Sequence, residues 1–205
     1  MKQPKNVIII GARGHGKVIA DIIIKSGDSL MGFLDDDPSI GNEIIGYPIL
    51  GKVEDLYKYS ETAGFVIGIG NNYTRKRVAD KYKVDWHTAI HPSAIIAIDV
   101  SIGEGTVVMA NAVINTSTII GRHCIINSGA VIEHDNDIAD FVHVSPNASI
   151  GGTVSVGACT HVGIGASLKN NLSITSDCII GAGSVVVKDI VEKGTYIGVP
   201  AKRMT

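Results

Sequence analysis

From Ile90 to Val186 every sixth residue is aliphatic. Positions 90, 96, 102, 108, 114 and 120 carry Ile, Ile, Ile, Val, Ile and Ile, and the series continues through Ile126, Ile132, Ile138, Val144, Ile150, Val156, Val162, Leu168, Ile174, Ile180 and Val186. All seventeen positions are filled, where composition alone would supply roughly a third. An amphipathic helix repeats at 3.6 residues and a coiled-coil seam at 3.5, so neither accounts for the spacing. Short parallel strands with a turn every sixth residue do, at three strands to a coil, with residues eighteen apart stacked on one another. At ~4.8 Å between stacked strands, about five coils make a prism on the order of 25 Å long.

The position after the aliphatic is often glycine: Gly103, Gly121, Gly151, Gly157, Gly163 and Gly181. Glycine there is expected to turn the backbone where a larger side chain would resist. Four residues after the aliphatic the side chains are mostly small, as at Thr106, Ala112, Thr118, Cys124, Ala130, Ala148, Thr160, Ala166, Cys178 and Ser184. Large and small side chains alternating inward would fill a narrow triangular core. The hexapeptide repeat resembles the left-handed β-helix acyltransferases; handedness comes from that likeness and not from the period. Because the register never slips, no loop is inserted between Ile90 and Val186.

The chain of 205 residues has room for one large or two small domains. Its net charge is −2 and no Lys/Arg cluster marks a nucleic-acid footprint. Cys124, Cys159 and Cys178 form no closely spaced metal pair, and Cys124 and Cys178 fall at the small inward position as reduced filler. Lys2, Lys5 and Asn6 precede only a short apolar run, with no signal-peptide pattern and no apolar stretch of eighteen residues, so the expectation is a cytoplasmic protein without membrane insertion.

Before the repeat, strands alternate with helices. Residues 6–10 read as a buried parallel strand, Lys17 to Lys25 as a helix ending at Gly27, and Leu30 to Leu34 as a second strand running into Asp35-Asp36-Asp37-Pro38. A short strand near Ile49, a helix near 53–60, a strand from Phe65 to Ile69 and a helix from Asn71 to Tyr82 follow, giving a small Rossmann-like sheet. The expected architecture is α/β plus all-β: residues 1–89 as a Rossmann-like domain, then residues 90–205 as a parallel β-helix with a short C-terminal tail.

Gly11-Ala12-Arg13-Gly14-His15-Gly16 departs from the dinucleotide fingerprint, because Arg13 stands where the second glycine belongs. About 85 residues also hold one mononucleotide half and not two, which argues against a complete NAD site. A glycine turn opening a helix still favours anions, and acidic residues ending the next strand are placed to accept hydrogen bonds from ribose hydroxyls or a base. Glycines serving only a tight turn are the alternative.

Together Gly11–Gly16, Phe33-Leu34-Asp35-Asp36 and Ile69-Gly70-Asn71-Asn72 resemble one family over essentially residues 5–205. This is the bacterial sugar acetyltransferases that join a small nucleotide-binding domain to a left-handed β-helix. They include sialic acid O-acetyltransferase-like proteins and the N-acetyltransferases of nucleotide-linked 4-amino sugars. The resemblance implies that Arg13, Gly14, His15, Asp35, Asp36 and Gly70 contact the nucleotide-sugar.

In the repeat, Ile132-Glu133-His134-Asp135 puts a histidine two places past the aliphatic, followed at once by a carboxylate. A histidine titrating near neutrality can take the proton of an attacking amine, and an adjacent carboxylate can orient the ring and stabilise the imidazolium. Gly152, eighteen residues on, should lie one coil along the same edge, where its N–H would donate to a thioester oxyanion. His143 and His161 should stack on neighbouring coils. Zinc ligation between protomers, as in carbonic anhydrases of this fold, is the alternative for that pair, but their spacing matches poorly and no metal is expected. The resemblance implies instead that His143, Gly152, Ile164 and Ala182 bind acetyl-CoA, and it leaves His161 unassigned. Lys202 and Arg203 are suitably charged for CoA phosphates, and the tail should cover the last coil's open strand edges.

The expected activity is acetyl-CoA-dependent N-acetylation of the 4-amino group of a nucleotide-linked, UDP-type 4-amino-4,6-dideoxy sugar, at sites between the protomers of a homotrimer. O-acetylation of a sialic acid-like sugar, a zinc lyase of carbonic anhydrase type and a non-catalytic nucleotide-sugar sensor are the competing readings.

Overall fold

A computed structural model describes residues 5–204; Lys2 and the outermost ends of the two expected domain spans lie outside the described residues. Strand β1 (Asn6–Ile10) is buried from Val7 onward and pairs in parallel with β2 (Ser29–Leu34) and β5 (Gly64–Ile67). The hairpin of β3 (Glu43–Ile44) and β4 (Tyr47–Gly51) extends the sheet, in the order β3-β4-β2-β1-β5, with β3 alone antiparallel. Helices α1 (Gly14–Lys25) and α2 (Asn72–Lys81) cover this sheet. The segment expected as a helix near 53–60 is a 3-10 helix, Val53–Tyr59, entered through Asp55, which accepts from the Lys52 N–H, and Asp36, which accepts from the Val53 N–H. Strand β5 stops at Ile67, short of the expected Ile69. At Gly68 a Cβ would lie 2.7 Å from the Gly11 carbonyl oxygen and 2.8 Å from Gly16 Cα, so the chain must leave the sheet where loop and helix press closest.

The repeat folds as its period demands. Two-residue strands at six-residue spacing form three parallel faces. One runs from Ala89–Ile90 through Val107, Ile125, His143, His161 and Cys178–Ile180, and is called face C here. A second, face D, holds Ile95–Ile96, Val113–Ile114, Val131–Ile132, Ser149–Ile150, Ser167–Leu168 and Val185–Val186. The third, face E, runs from Ser101–Ile102 to Ser173–Ile174. The sixfold aliphatics fill one continuous core with the small residues four places on, and Thr106, Ala112, Cys124, Ala130, Thr160 and Cys178 are all fully buried.

The turning residue is not the one expected. Glycines after the aliphatic do not adopt positive φ; a Cβ at Gly103, Gly121, Gly151 or Gly157 would instead meet the backbone of the next coil at 2.3 to 2.7 Å. They are glycine because coils stack closely there. The left-handed turn falls two residues later, at Gly105, Asn111, Ser117, His123, Gly129, Asp135, Phe141, Asn147, Thr153, Cys159, Gly165, Asn171, Asp177 and Gly183, with φ between 56° and 69° at all but His123, at 52°. Asn and Asp tolerate this region because a short polar side chain bonds locally; Phe141 and Thr153 do so against their intrinsic preference.

The N-terminal unit sits on face C. Its helix α1 and strand β1 share a core with Ala89, Val107, Met109 and Ile125, so outward-facing residues of the first coils are buried. The C-terminal tail adds Gly194–Ile197 in parallel to the last strand of face C and Lys202–Arg203 antiparallel to that, covering the open edge as expected. Among the described residues no helix is long and apolar enough to cross a membrane.

Candidate active site

A cavity of about 830 Å³ opens in the N-terminal unit, lined among others by Gly11, Arg13, His15, Asp35, Asp36 and Gly70. It is within the range that takes a nucleotide-sized ligand. The glycines of the loop differ in purpose. Gly11 turns at φ +99°, and a Cβ on Gly16 would lie 2.0 Å from the Gly11 carbonyl oxygen, so both are fixed by packing. Gly14 and Gly70 face open space and have no packing reason to lack a side chain. Gly14 begins α1, whose N-terminus carries no side-chain cap and no acidic residue in its first turn. Its first backbone N–H groups therefore have no side-chain acceptor, and the helix dipole there favours negative charge.

The two aspartates are partly spent on structure. Asp35 accepts from the Ala12 N–H at 2.8 Å and from the Asp37 N–H at 2.9 Å, tying the glycine loop to the end of β2, and Asp36 accepts from the Val53 N–H at 2.9 Å. Arg13 pairs with Asp37 and remains largely exposed. From α2, Arg77 and Lys81 also line the cavity; the sequence reading missed them because a helix rich in Arg and Lys looks solvated all round.

His15 is partly buried, its Nε2 enclosed and unpaired, and desolvation followed by the charge of Arg75 lowers its pKa to about 4. His143 and His161 stack as expected, with ring centroids 4.6 Å apart and planes within 3°. Asn127 Oδ1 accepts from the Ser128 N–H, so its Nδ2 is the group that donates to His143 Nε2 at 3.1 Å. That leaves the hydrogen of a neutral ring on Nδ1. This Nδ1 is buried without a hydrogen-bond partner, and the Gly70 backbone is the one neighbour that favours the charged ring. Burial, then His161, then Arg75, hold the His143 pKa at about 3. Parallel stacked rings do not converge on one point, and among the described residues no group of three His, Cys, Asp or Glu side chains is placed to hold a metal ion.

His134 lies elsewhere. It sits at the corner between faces D and E, half exposed, and its Nδ1 is 2.7 Å from Asp135 Oδ2, so adjacency in sequence is a contact in space. An ionised carboxylate only accepts, so Nδ1 carries the hydrogen and Nε2 keeps its lone pair. The left-handed backbone at Asp135 (φ +57°) folds the carboxylate back toward the ring. Gly152 lies one coil along directly against the imidazole, where a Cβ would be 2.7 Å from Cε1, and its N–H makes no hydrogen bond among the described residues. Ile164 and Ala182 stack at a third corner, between faces C and D, linked by the Gly183 N–H to Ile164 carbonyl bond of 2.8 Å. Within one chain, then, the corner bearing His134 and Gly152 lies across the prism from face C, which carries His143 and on which the N-terminal unit sits. Arg203, expected near CoA phosphates, is engaged with Glu192 and the Lys193 carbonyl in closing the tail.

A hexapeptide-repeat β-helix with a nucleotide-sized cavity in an N-terminal α/β unit defines a class: the sugar acyltransferases of hexapeptide type. The PglD N-terminal domain matches residues 6–82 and the bacterial transferase hexapeptide (six repeats) matches residues 99–134. The acetyltransferase domain of PglB from Neisseria gonorrhoeae FA1090, solved with acetyl coenzyme A, is 32% identical with a TM-score of 0.94, over 98% of this chain and 100% of that one. PerB from Caulobacter crescentus, solved with CoA and GDP-perosamine, is 36% identical with a TM-score of 0.92, over 98% and 97%. A UDP-N-acetylbacillosamine N-acetyltransferase of Bacillus subtilis (strain 168) is 44% identical over 113 residues, 52% of each protein, so the match spans about half the length of that curated relative. The chain belongs to the bacterial sugar acetyltransferases that join a PglD-type N-terminal domain to a hexapeptide-repeat β-helix, the family of the nucleotide-sugar N-acetyltransferases.

Proposed function

We propose that this protein transfers the acetyl group of acetyl-CoA to the 4-amino group of a nucleotide-linked 4-amino-4,6-dideoxy sugar, with UDP as the nucleotide. The observation that carries the reading is the His134–Asp135 pair on an exposed corner, with the open N–H of Gly152 packed against the imidazole. The neutral amine attacks the thioester carbonyl, Nε2 of His134 takes the proton released as the C–N bond forms, and Asp135 steadies the resulting imidazolium. The Gly152 N–H donates to the oxyanion, and collapse expels the CoA thiolate, which takes the proton back from His134.

Arg13, Gly14, His15, Asp35, Asp36 and Gly70 hold the nucleotide-sugar, a role supported by the cavity that all of them but Gly14 line and by the uncapped α1 N-terminus that Gly14 begins, suited to a diphosphate. His143, Gly152, Ile164 and Ala182 receive acetyl-CoA. Because the His134 corner lies across the prism from His143, we place the working site between protomers of a cytoplasmic homotrimer, one copy's His134 corner facing its neighbour's face C. A head-to-tail contact of this kind closes into a ring. We place the junction of the two units at residues 89 and 90, where the first strand of face C begins.

CoA release assayed with UDP-, GDP-, dTDP- and CMP-linked 4-amino sugars and their 4-hydroxy analogues tests the reading. Turnover of the amino sugars with UDP preferred is expected. CoA release with the hydroxyl series alone, or with none of them, would refute it.

A further inference from the structure

Among the described residues Arg75 is the largest fully buried side chain, 1% exposed, on a helix whose other basic residues are all at least partly exposed. All five of its N–H directions are used. Nε donates to the His123 carbonyl at 2.7 Å, Nη1 to the Ile69 and Gly70 carbonyls at 3.2 and 3.1 Å, and Nη2 to Asn72 Oδ1 and the Phe141 carbonyl at 2.8 and 3.0 Å. None of these acceptors is a carboxylate. The acceptors on the β-helix have a common origin: His123, Phe141 and Cys159 are the left-handed turning residues of three successive coils at the corner between faces E and C. At that corner the preceding residue's carbonyl, as at Arg122 and Asp140, is taken by the next coil, which leaves the turning residue's own carbonyl for a partner outside the stack. Arg75 takes the first two and Asn72 Nδ2 takes the third, that of Cys159, at 2.9 Å.

The same guanidinium therefore grips two things at once: the Ile69–Gly70 loop that borders the cavity, and the coil that two residues later presents His143, beside which the Gly70 backbone lies. We propose that Arg75 is a positioning residue of the acyl-transfer site, holding the nucleotide-sugar loop in register with the coil that carries His143. This role rests on the acetyltransferase reading above. A lysine keeps the charge and most of the stem, but a point ammonium with three donors cannot serve a planar fork of five acceptors. The cation contributes a second effect through its field, opposing protonation of His15, His143 and His161.

The test uses the full chain with Arg75→Lys, and with Tyr73→Phe as control. Tyr73 bonds Asp177 one coil further along the same corner, whereas the hydrogen bonds to the Ile69 and Gly70 carbonyls come from Arg75. Hydrogen exchange of the 69–71 amides, melting temperature, nucleotide-sugar affinity and kcat with KM for each substrate are measured well below the melting midpoint. Since a misplacement near 1 Å costs on the order of 100-fold, Arg75→Lys is expected to lose about 10- to 100-fold in kcat. Nucleotide-sugar affinity and acetyl-CoA KM should change less than about threefold, and 69–71 exchange should rise about tenfold; Tyr73→Phe should match wild type in all of these. If Arg75→Lys does not fold, Asn72→Ala, which removes the Nη2 acceptor and keeps the guanidinium, should show the same pattern at about 3- to 10-fold. Unchanged exchange at 69–71, or a melting shift with wild-type kcat, overturns the proposal. A wild-type chain that turns over no nucleotide-linked amino sugar overturns the functional reading instead, and the exchange data then separate the two failures.

Discussion

Gly151 and Gly152 are neighbours at one corner of the β-helix, and adding a methyl group to each should give opposite phenotypes. A Cβ on Gly151 would lie 2.7 Å from the Asn170 amide nitrogen and 3.1 Å from the Leu168 carbonyl oxygen, both backbone atoms of the next coil that cannot withdraw without parting the stack. Overpacking of this kind costs about 1–3 kcal/mol, so Gly151→Ala should melt several degrees lower and, while folded, keep its rate. A Cβ on Gly152 meets instead the His134 ring, at 2.7, 2.8 and 3.2 Å. That ring is half exposed and free to move, so the fold should survive. To reach ordinary contact at 3.4 Å from 2.7 Å the imidazole must retreat by roughly 0.7 Å, and a displacement on that scale costs on the order of 10- to 100-fold where geometry controls rate. The assay is kcat for CoA release at saturating substrates, beside a thermal melt of each variant. Gly152→Ala at wild-type rate, or Gly151→Ala with an unshifted melt, would refute the reasoning.

His134→Ala should lose at least ~100-fold in kcat with an unchanged melt, since the side chain is half exposed, resting against Gly152 and bonded to Asp135. Asp135→Asn should slow the rate by about 10- to 100-fold without loss of stability, because Asn accepts the φ of +57°; Asp135→Ala should add a stability loss of about 1–2 kcal/mol from the left-handed backbone, visible as a lower denaturant midpoint. Stability should also depend on acid. His15 and His123 have folded pKa values of about 4 and His143 of about 3, all below the ordinary 6.5. The unfolded chain then binds more protons across that interval, so stability is complete above about pH 6.5 and falls steadily as pH drops toward 4. Melts recorded between pH 7 and 4.5 check this, and a flat profile would contradict the burial of neutral imidazoles.

The period of six carried nearly the whole C-terminal architecture, because a stacked prism repeats one local rule and seventeen aliphatics report the same answer. The strands and helices of the first eighty residues were legible from runs such as Val7–Ile10, and even the pairing of His143 with His161 followed from their separation of one coil. Two things did not. The turning position was misassigned because glycine marks two different needs, freedom of φ and closeness of backbone, and Gly103 and Gly105 look alike in a sequence. Arg75 was hidden for a related reason: Arg75, Lys76 and Arg77 sit consecutively, and only the carbonyl column left at one corner of the coils decides which of them is buried. The separation of His134 from the cavity within one chain depends on which of three corners each residue reaches, a count modulo eighteen that only a correct coil assignment supplies.

The left-handed turning residue recurs with the same backbone whatever occupies it, so the prism offers a row of equivalent sockets along each edge. Asp135 fills one with a carboxylate for an imidazole, while Phe141 and Cys159 fill others with carbonyls that receive a helix. Side-chain chemistry can thus be exchanged at these edges one residue at a time, while docking through the backbone carbonyl asks for no particular residue, and the aliphatic filling inside never registers the difference.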